Sequence, residues 1–174
     1  RKEAVVSSQI EGTQATLQDV VAYEATNQSE SPADVEEVCN YIDALNWAKS
    51  VGGLAGLIGR ADRNAAALNA FVDKTSWLSN LAVKKETRSN TSVCLTISDP
   101  DVLALDADGQ AAFAKGLVSA LEKEGVGFDV GSYRDAPAGL RIWCGATVET
   151  SDIEALTPWL DWAFAAQKAV LKSV

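Results

Sequence analysis

Histidine and methionine are both missing from this sequence. Without histidine there is no imidazole base, no Ser-His-Asp triad and no histidine-ligated metal. Without an initiator methionine the chain reads as a fragment. Cysteine is sparse: Cys39, Cys94 and Cys144 lie far apart, with neither disulfide nor metal-site spacing. That usage points to a reducing compartment, with the cytoplasm as the expected setting. No apolar run approaches the roughly 20 residues needed to cross a bilayer, and no basic start precedes a hydrophobic signal core. Positive charge is also in short supply. Lys and Arg total 15 against 24 Asp and Glu, for a net charge of −9, so neither a nucleic acid nor an anionic membrane is an expected partner. Small anions remain. There is no Walker loop, paired-glycine dinucleotide turn, CxxC or EF-hand pattern, and the acidic residues are scattered. No catalytic residue, carboxylate pair or metal ligand set is nominated.

What the sequence does contain is 47% hydrophobic residues over 174 positions, enough for one core or two small ones. Residues 14–26 put Leu17, Val20, Val21 and Tyr23 roughly on one side. Ser31 and Pro32 then read as an N-cap and first helical position, with Val35, Val38, Ile42 and Leu45 at helical spacing to about Lys49. The pair predicts an antiparallel hairpin. Gly52-Gly53 breaks it, two alanine-rich helices follow near 54–60 and 62–73, and a loop surrounds Lys84-Lys85-Glu86. From residue 92 the period changes to two: SVCLTIS reads as a half-buried strand. Asp106 caps a helix with the stripe Phe113, Ala114, Leu117, Val118 and Leu121, ended by Gly125. VGFDVGSY and GLRIWCGATV read as two more strands. Ser151 with Glu154 matches a capping box, Thr157-Pro158 starts or restarts a helix, and the last stretch is helical. The order β, α, β, β, α describes a helix-covered sheet of α+β type.

GLRIWC holds the most informative charge. Alternation along a strand buries Leu140, Ile142 and Cys144 on one face and turns Arg141 and Trp143 to the other. A guanidinium there needs an anion. A ligand carboxylate gripped by its planar N–H fork is one reading; a nearby Asp or Glu, or plain solvation, is the other. Arg88-Ser89 and the face carrying Trp143 read as structural.

From about Tyr41 onward, YIDALNWAKSVGGLAGLIGRADRNAAAL, TRSNTSVCLTI and LEKEGVGFDVGSYRDAPAGLRIWCGATVETSDIEALTPWLDWAF resemble the small C-terminal domain of phosphoserine aminotransferase. The run RDAPAGLRIWCGATVE is the specific part. The resemblance implies the small α/β domain of the aspartate-aminotransferase fold type, pyridoxal phosphate as cofactor, and amino-group exchange between phosphoserine and 2-oxoglutarate in serine biosynthesis. It also implies a usually dimeric enzyme. In that family an arginine at the position of Arg141 holds the substrate α-carboxylate. Arg134 resembles the arginine of a His-Arg pair that helps hold the phosphate or side-chain carboxylate, but Tyr133 takes the histidine's place and the spacing is one residue longer. None of the lysines matches the family's Schiff-base lysine, which belongs to the large domain, so the chain alone is expected to be inactive.

The first forty residues differ. KEAVVSSQIEGTQATL followed by DVEEVCNYIDAL resembles the N-terminal region of Fic-domain proteins, which transfer AMP from ATP to protein hydroxyls. Ser7, Glu11 and Gly12 match that family's inhibitory pattern, in which the glutamate pairs with an arginine of the catalytic motif. The histidine-led catalytic motif is absent, so Glu11 also reads as a solvated helix residue. These resemblances divide the chain into a helical segment at 1–48, including the helical hairpin, and an aminotransferase small domain at 49–174. The alternatives are a regulatory module for a separate Fic catalytic domain, and a scaffold or engineered fusion without a ligand.

Overall fold

The computed structural model describes residues 1–26 and 32–172; the expected cap Ser31 lies outside them. The chain divides into two compact units, Arg1–Leu57 and Ile58–Val174.

The first unit contains α1 (Lys2–Ile10), α2 (Leu17–Thr26) and α3 (Pro32–Ser50). The expected pair, α2 and α3, is thus preceded by a further helix, and α3 packs against both others. Apolar spacing explains the packing: Ala4 and Val5 of α1, Val20 of α2, and Val35 and Val38 of α3 are buried together with Ala15. Thr16 and Asp19 cap α2 reciprocally. The Thr16 N–H donates to Asp19 Oδ2 at 2.8 Å, and the Asp19 N–H donates to Thr16 Oγ1 at 3.3 Å. Gly52 and Gly53 take φ of 101° and 62° between α3 and α4 (Gly53–Val72), a region open to glycine at little cost. Two alanine-rich helices are expected here, but α4 is one unbroken helix, since nothing between Leu54 and Val72 removes a backbone N–H.

The second unit contains most of α4, β1 (Leu78–Asn80), a 3-10 turn at Lys85–Thr87, β2 (Ser92–Ile97), α5 (Pro100–Leu103), α6 (Ala107–Lys123), β3 (Gly139–Trp143) and α7 (Thr150–Lys172). Its sheet is antiparallel with order β1-β2-β3. The strands therefore come as two neighbours before α5 and α6 and one after them, instead of the expected β, α, β, β, α. VGFDVGSY is not a strand: only an isolated bridge joins Gly131 to Leu140. The reason is local. Asp129 adopts φ 52°, which interrupts an extended run.

One face of the sheet carries the core. Val93, Leu95, Ile97, Leu140 and Ile142 alternate inward and meet Leu68 and Val72 of α4, Phe113, Leu117 and Leu121 of α6, and Ile153, Leu160 and Ala163 of α7. Asp106 caps α6 through its carboxylate, which accepts from the Gly109 N–H at 2.8 Å, and Gly125 ends it as expected, with the Val126 N–H reaching the Leu121 carbonyl at 3.1 Å. The start of α7 corrects the expected box: Asp152, not Glu154, reaches back, its Oδ2 accepting from the Glu149 N–H at 3.0 Å. Pro158 sits inside α7 instead of restarting it. Its missing N–H would orphan the Glu154 carbonyl, and Thr157 Oγ1 donates to that carbonyl at 2.9 Å.

After Trp143 the strand stops because Asn64 holds the chain in a turn. This buried side chain donates to the carbonyls of Cys144, Gly145 and Val148 at 3.2, 3.2 and 3.0 Å and accepts from Thr150 Oγ1 at 2.7 Å. The latch ties α4 to the β3–α7 connection, and so sets where β3 ends.

Candidate functional site

The open face of the sheet is built from the residues that alternate away from the core. In β2 these are Ser92, Cys94 and Thr96; in β3 they are Arg141 and Trp143, with Cys94 paired to Arg141 and Ser92 to Trp143. Arg141 thus stands mid-strand on a rigid element, as the alternation of GLRIWC predicts.

Its surroundings are specific. Nη2 donates to Asp129 Oδ2 at 2.5 Å and to the Asp129 carbonyl at 3.1 Å. The guanidinium carbon lies 4.8 Å from the centre of the Tyr133 ring, within cation–π range. The Asp129 hydrogen bond pushes the Arg141 pKa above its ordinary value, with burial acting against it. The Arg141 side chain is only 13% exposed, whereas that of Asp129 is 88% exposed. Arg141 Nε and Ser92 Oγ are buried without a hydrogen-bond partner. Both belong to residues of the open face.

Arg134 lies elsewhere on the same segment. It is exposed and lines a cleft of about 490 Å³ with Lys115, Ser132, Tyr133 and an apolar wall that includes Ala111, Ala114 and Val118. Tyr133 is the residue common to both surroundings, since it lines the cleft and stacks on Arg141. Sequence reasoning missed Asp129 and Lys115. The first carries no signal beyond a carboxylate between two apolar residues; the second is one of many charges on a helix. Ser89 is structural as expected, its Oγ accepting from the Thr91 and Ser92 N–H groups at 3.2 and 3.1 Å.

The thiols offer no nucleophile at the sheet core: burial pushes Cys144 up to about 11. Among the described residues no group of His, Cys, Asp and Glu could hold a metal ion, and no helix is long and apolar enough to cross a membrane.

In the first unit, Ser7 is half-buried on α1, while Glu11 and Gly12 are exposed at its C-terminus. The Thr13 N–H bonds the Ser8 carbonyl at 3.1 Å and the Gly12 N–H the Gln9 carbonyl at 3.2 Å. With Gly12 at φ 107°, this is a Schellman end, which asks for glycine or asparagine at that position. Local helix termination therefore accounts for Gly12 without any partner.

Comparison with known proteins finds two separate likenesses. Residues 1–50 match the Fic/DOC family N-terminal region. Over 125 residues, 72% of the chain, it is 48% identical to phosphoserine aminotransferase of Methanosarcina barkeri and 47% identical to that of Methanosarcina mazei. Most of this chain is similar to phosphoserine aminotransferase. It spans 31% of the length of each of these relatives. The fold agrees: phosphoserine aminotransferase from Bacillus circulans subsp. alkalophilus superposes with TM-score 0.56 at 21% identity, covering 84% of this chain and 36% of the other. The pyridoxal-phosphate-bound phosphoserine aminotransferase from Trichomonas vaginalis gives 0.56 at 19%, covering 81% and 36%. The α+β arrangement described above is thus one found in part of phosphoserine aminotransferases.

Proposed function

We propose that residues 49–174 are the substrate-recognition small domain of a pyridoxal-phosphate-dependent phosphoserine aminotransferase, which exchanges an amino group between phosphoserine and 2-oxoglutarate in serine biosynthesis. The observation that carries this is Arg141: a mostly buried guanidinium, fixed mid-strand and held by a carboxylate, in a chain that is 48% identical over 125 residues to a phosphoserine aminotransferase. Arg141 is assigned to the substrate α-carboxylate, because paired N–H groups on a rigid strand orient a planar anion. Arg134, with Lys115 beside it in the cleft, is assigned to the phosphate or distal carboxylate. A cytoplasmic homodimer, with small-molecule substrates and neither nucleic acid nor membrane as partner, belongs to the same reading.

Lys168 does not fit a covalently held cofactor. The nucleophile for pyridoxal phosphate is a neutral lysine amine, yet Lys168 is paired with Asp99 and Asp101. Its pKa is raised, burial pulling it down but the hydrogen bonds to those carboxylates prevailing. The cofactor, which supplies an electron sink for amino-group transfer, is assigned to the part of the relatives outside the matched region. The chain by itself is accordingly inactive.

The test is Arg141→Leu. In this chain it leaves stability within about 1 kcal/mol, the scale of a pair with one exposed member. In a full-length aminotransferase carrying this domain it lowers kcat/KM for phosphoserine about a hundredfold, roughly 3 kcal/mol of lost charged hydrogen bonding. Arg141→Lys restores only part, since an ammonium lacks the planar fork. Unfolding with unchanged kinetics would mark Arg141 as a structural partner of Asp129 only.

The Fic/DOC match supports a second reading for residues 1–48, as a regulatory module in which Ser7, Glu11 and Gly12 act on a separate Fic catalytic domain. Glu11 is exposed, as a side chain directed at a partner arginine must be. That reading requires a partner chain bearing the histidine-led motif.

A further inference from the structure

We infer that Asp129 is an internal stand-in for a ligand carboxylate at Arg141, holding the guanidinium until an amino-acid or oxo-acid carboxylate displaces it. The inference rests on the proposed role of Arg141. Three observations carry it. The cation is the fixed member of the pair and the anion the solvated one, at 13% and 88% side-chain exposure. An ion pair whose carboxylate is in water is weak and exchanges readily with other anions.

The grip is also incomplete. Both Asp129 contacts, from the carboxylate and from its own carbonyl, fall on Nη2, while Nε is buried with no partner. A guanidinium satisfied by its best anion engages two N–H groups in parallel, so the Asp129 carboxylate leaves part of the fork unused. Finally, Asp129 is the one described non-glycine residue at positive φ, and that bend is what directs its carbonyl and carboxylate to the same nitrogen. Asp and Asn visit this region more readily than other side chains. The bend interrupts the extended run between buried Gly127 and Val130, and at its exposed apex it sets the Asp129 carboxylate on Arg141.

Asp129 is thus a positioning residue with a competing charge: it keeps Arg141 from collapsing elsewhere, and it sets a threshold that a ligand must exceed. The experiment titrates 2-oxoglutarate into the 174-residue chain and reads Kd by isothermal titration calorimetry, with the Arg141 Nε–H resonance as an NMR reporter of the site wherever the arginine is retained. Asn and Gly both tolerate the left-handed backbone, so Asp129→Asn and Asp129→Gly keep the turn while removing the carboxylate. Each is expected to lower Kd about tenfold, equivalent to about 1.4 kcal/mol, and Arg141→Lys in either background abolishes the effect. If binding depends on Arg141 but both variants bind no tighter than the parent chain, the inference is overturned while the role of Arg141 stands. If neither the parent nor the variants show Arg141-dependent binding, the role of Arg141 falls and the inference with it.

Discussion

Asn64 shows how much one side chain can decide. It is fully buried on α4, yet its amide satisfies three carbonyls and one hydroxyl of the β3–α7 connection. A polar group so placed is tolerable only because every partner is met. Asn64→Ala leaves those carbonyls without their donor, and is expected to lower stability by about 1–3 kcal/mol. Urea denaturation read by tryptophan fluorescence checks this, and an unchanged midpoint would show that the turn holds itself. No sequence rule identifies Asn64, since an asparagine inside an alanine-rich helix gives no hint of a partner some eighty residues away. Arg141 is the contrasting case. Its placement between Leu140 and Ile142 already announces a charge on the open face, while the identity of its anion, Asp129, emerges only when the fold brings the two together.

At the scale of elements, local chemistry explains the ends better than the middles. Asp99 and Pro100 make an N-cap and first-turn pair for α5, the carboxylate accepting from the Asp101 and Val102 N–H groups at 3.0 and 3.2 Å. The same pattern is recognisable at Pro32, yet at Asp99 it goes unread because α5 is a single turn with no periodicity to announce it. Asp99 also pairs with Lys168 of α7. Burial pushes its carboxyl up, but the Lys168 hydrogen bond and the cap N–H groups outweigh that and hold it below the usual carboxylate range. A carboxylate with a depressed folded-state pKa adds stability that is complete above its unfolded value, near 4, and is lost as pH falls through the folded value. Asp99→Asn keeps a competent cap but removes the charge. The variant should therefore be less stable than the parent at neutral pH and converge with it at the acid end. Thermal midpoints measured from pH 7 downward test this, and parallel curves would exclude the pair as an acid-sensitive contact. β1 escapes sequence reading for a related reason: three residues are too few to display alternation, and only pairing with β2 makes them a strand.

For the whole molecule, the two units have separate cores. The larger draws on residues between Ala65 and Leu171, the smaller on residues between Ala4 and Ile42, and the two clusters share no side chain. A chain trimmed to residues 53–174 keeps all of α4 and every buried member of the larger core. It is expected to unfold cooperatively, with buried Trp77 reporting the transition by fluorescence. A broad, non-cooperative melt would show that the larger core depends on the preceding helices.

The sequence alone determined what depends on neighbours along the chain: the amphipathic stripes of α2, α3 and α6, the cap at Asp106, the stops at Gly52 and Gly125, and the alternation of β2 and β3. These follow from the helical and strand periods and from the few residues that satisfy helix ends. It also excluded histidine chemistry outright. Tertiary structure decided what depends on residues distant in sequence. It set the strand order, the Asn64 latch and the anion that meets Arg141. The physical reason is that a polar group cannot stay buried without a partner, and which partner it finds depends on how distant segments pack.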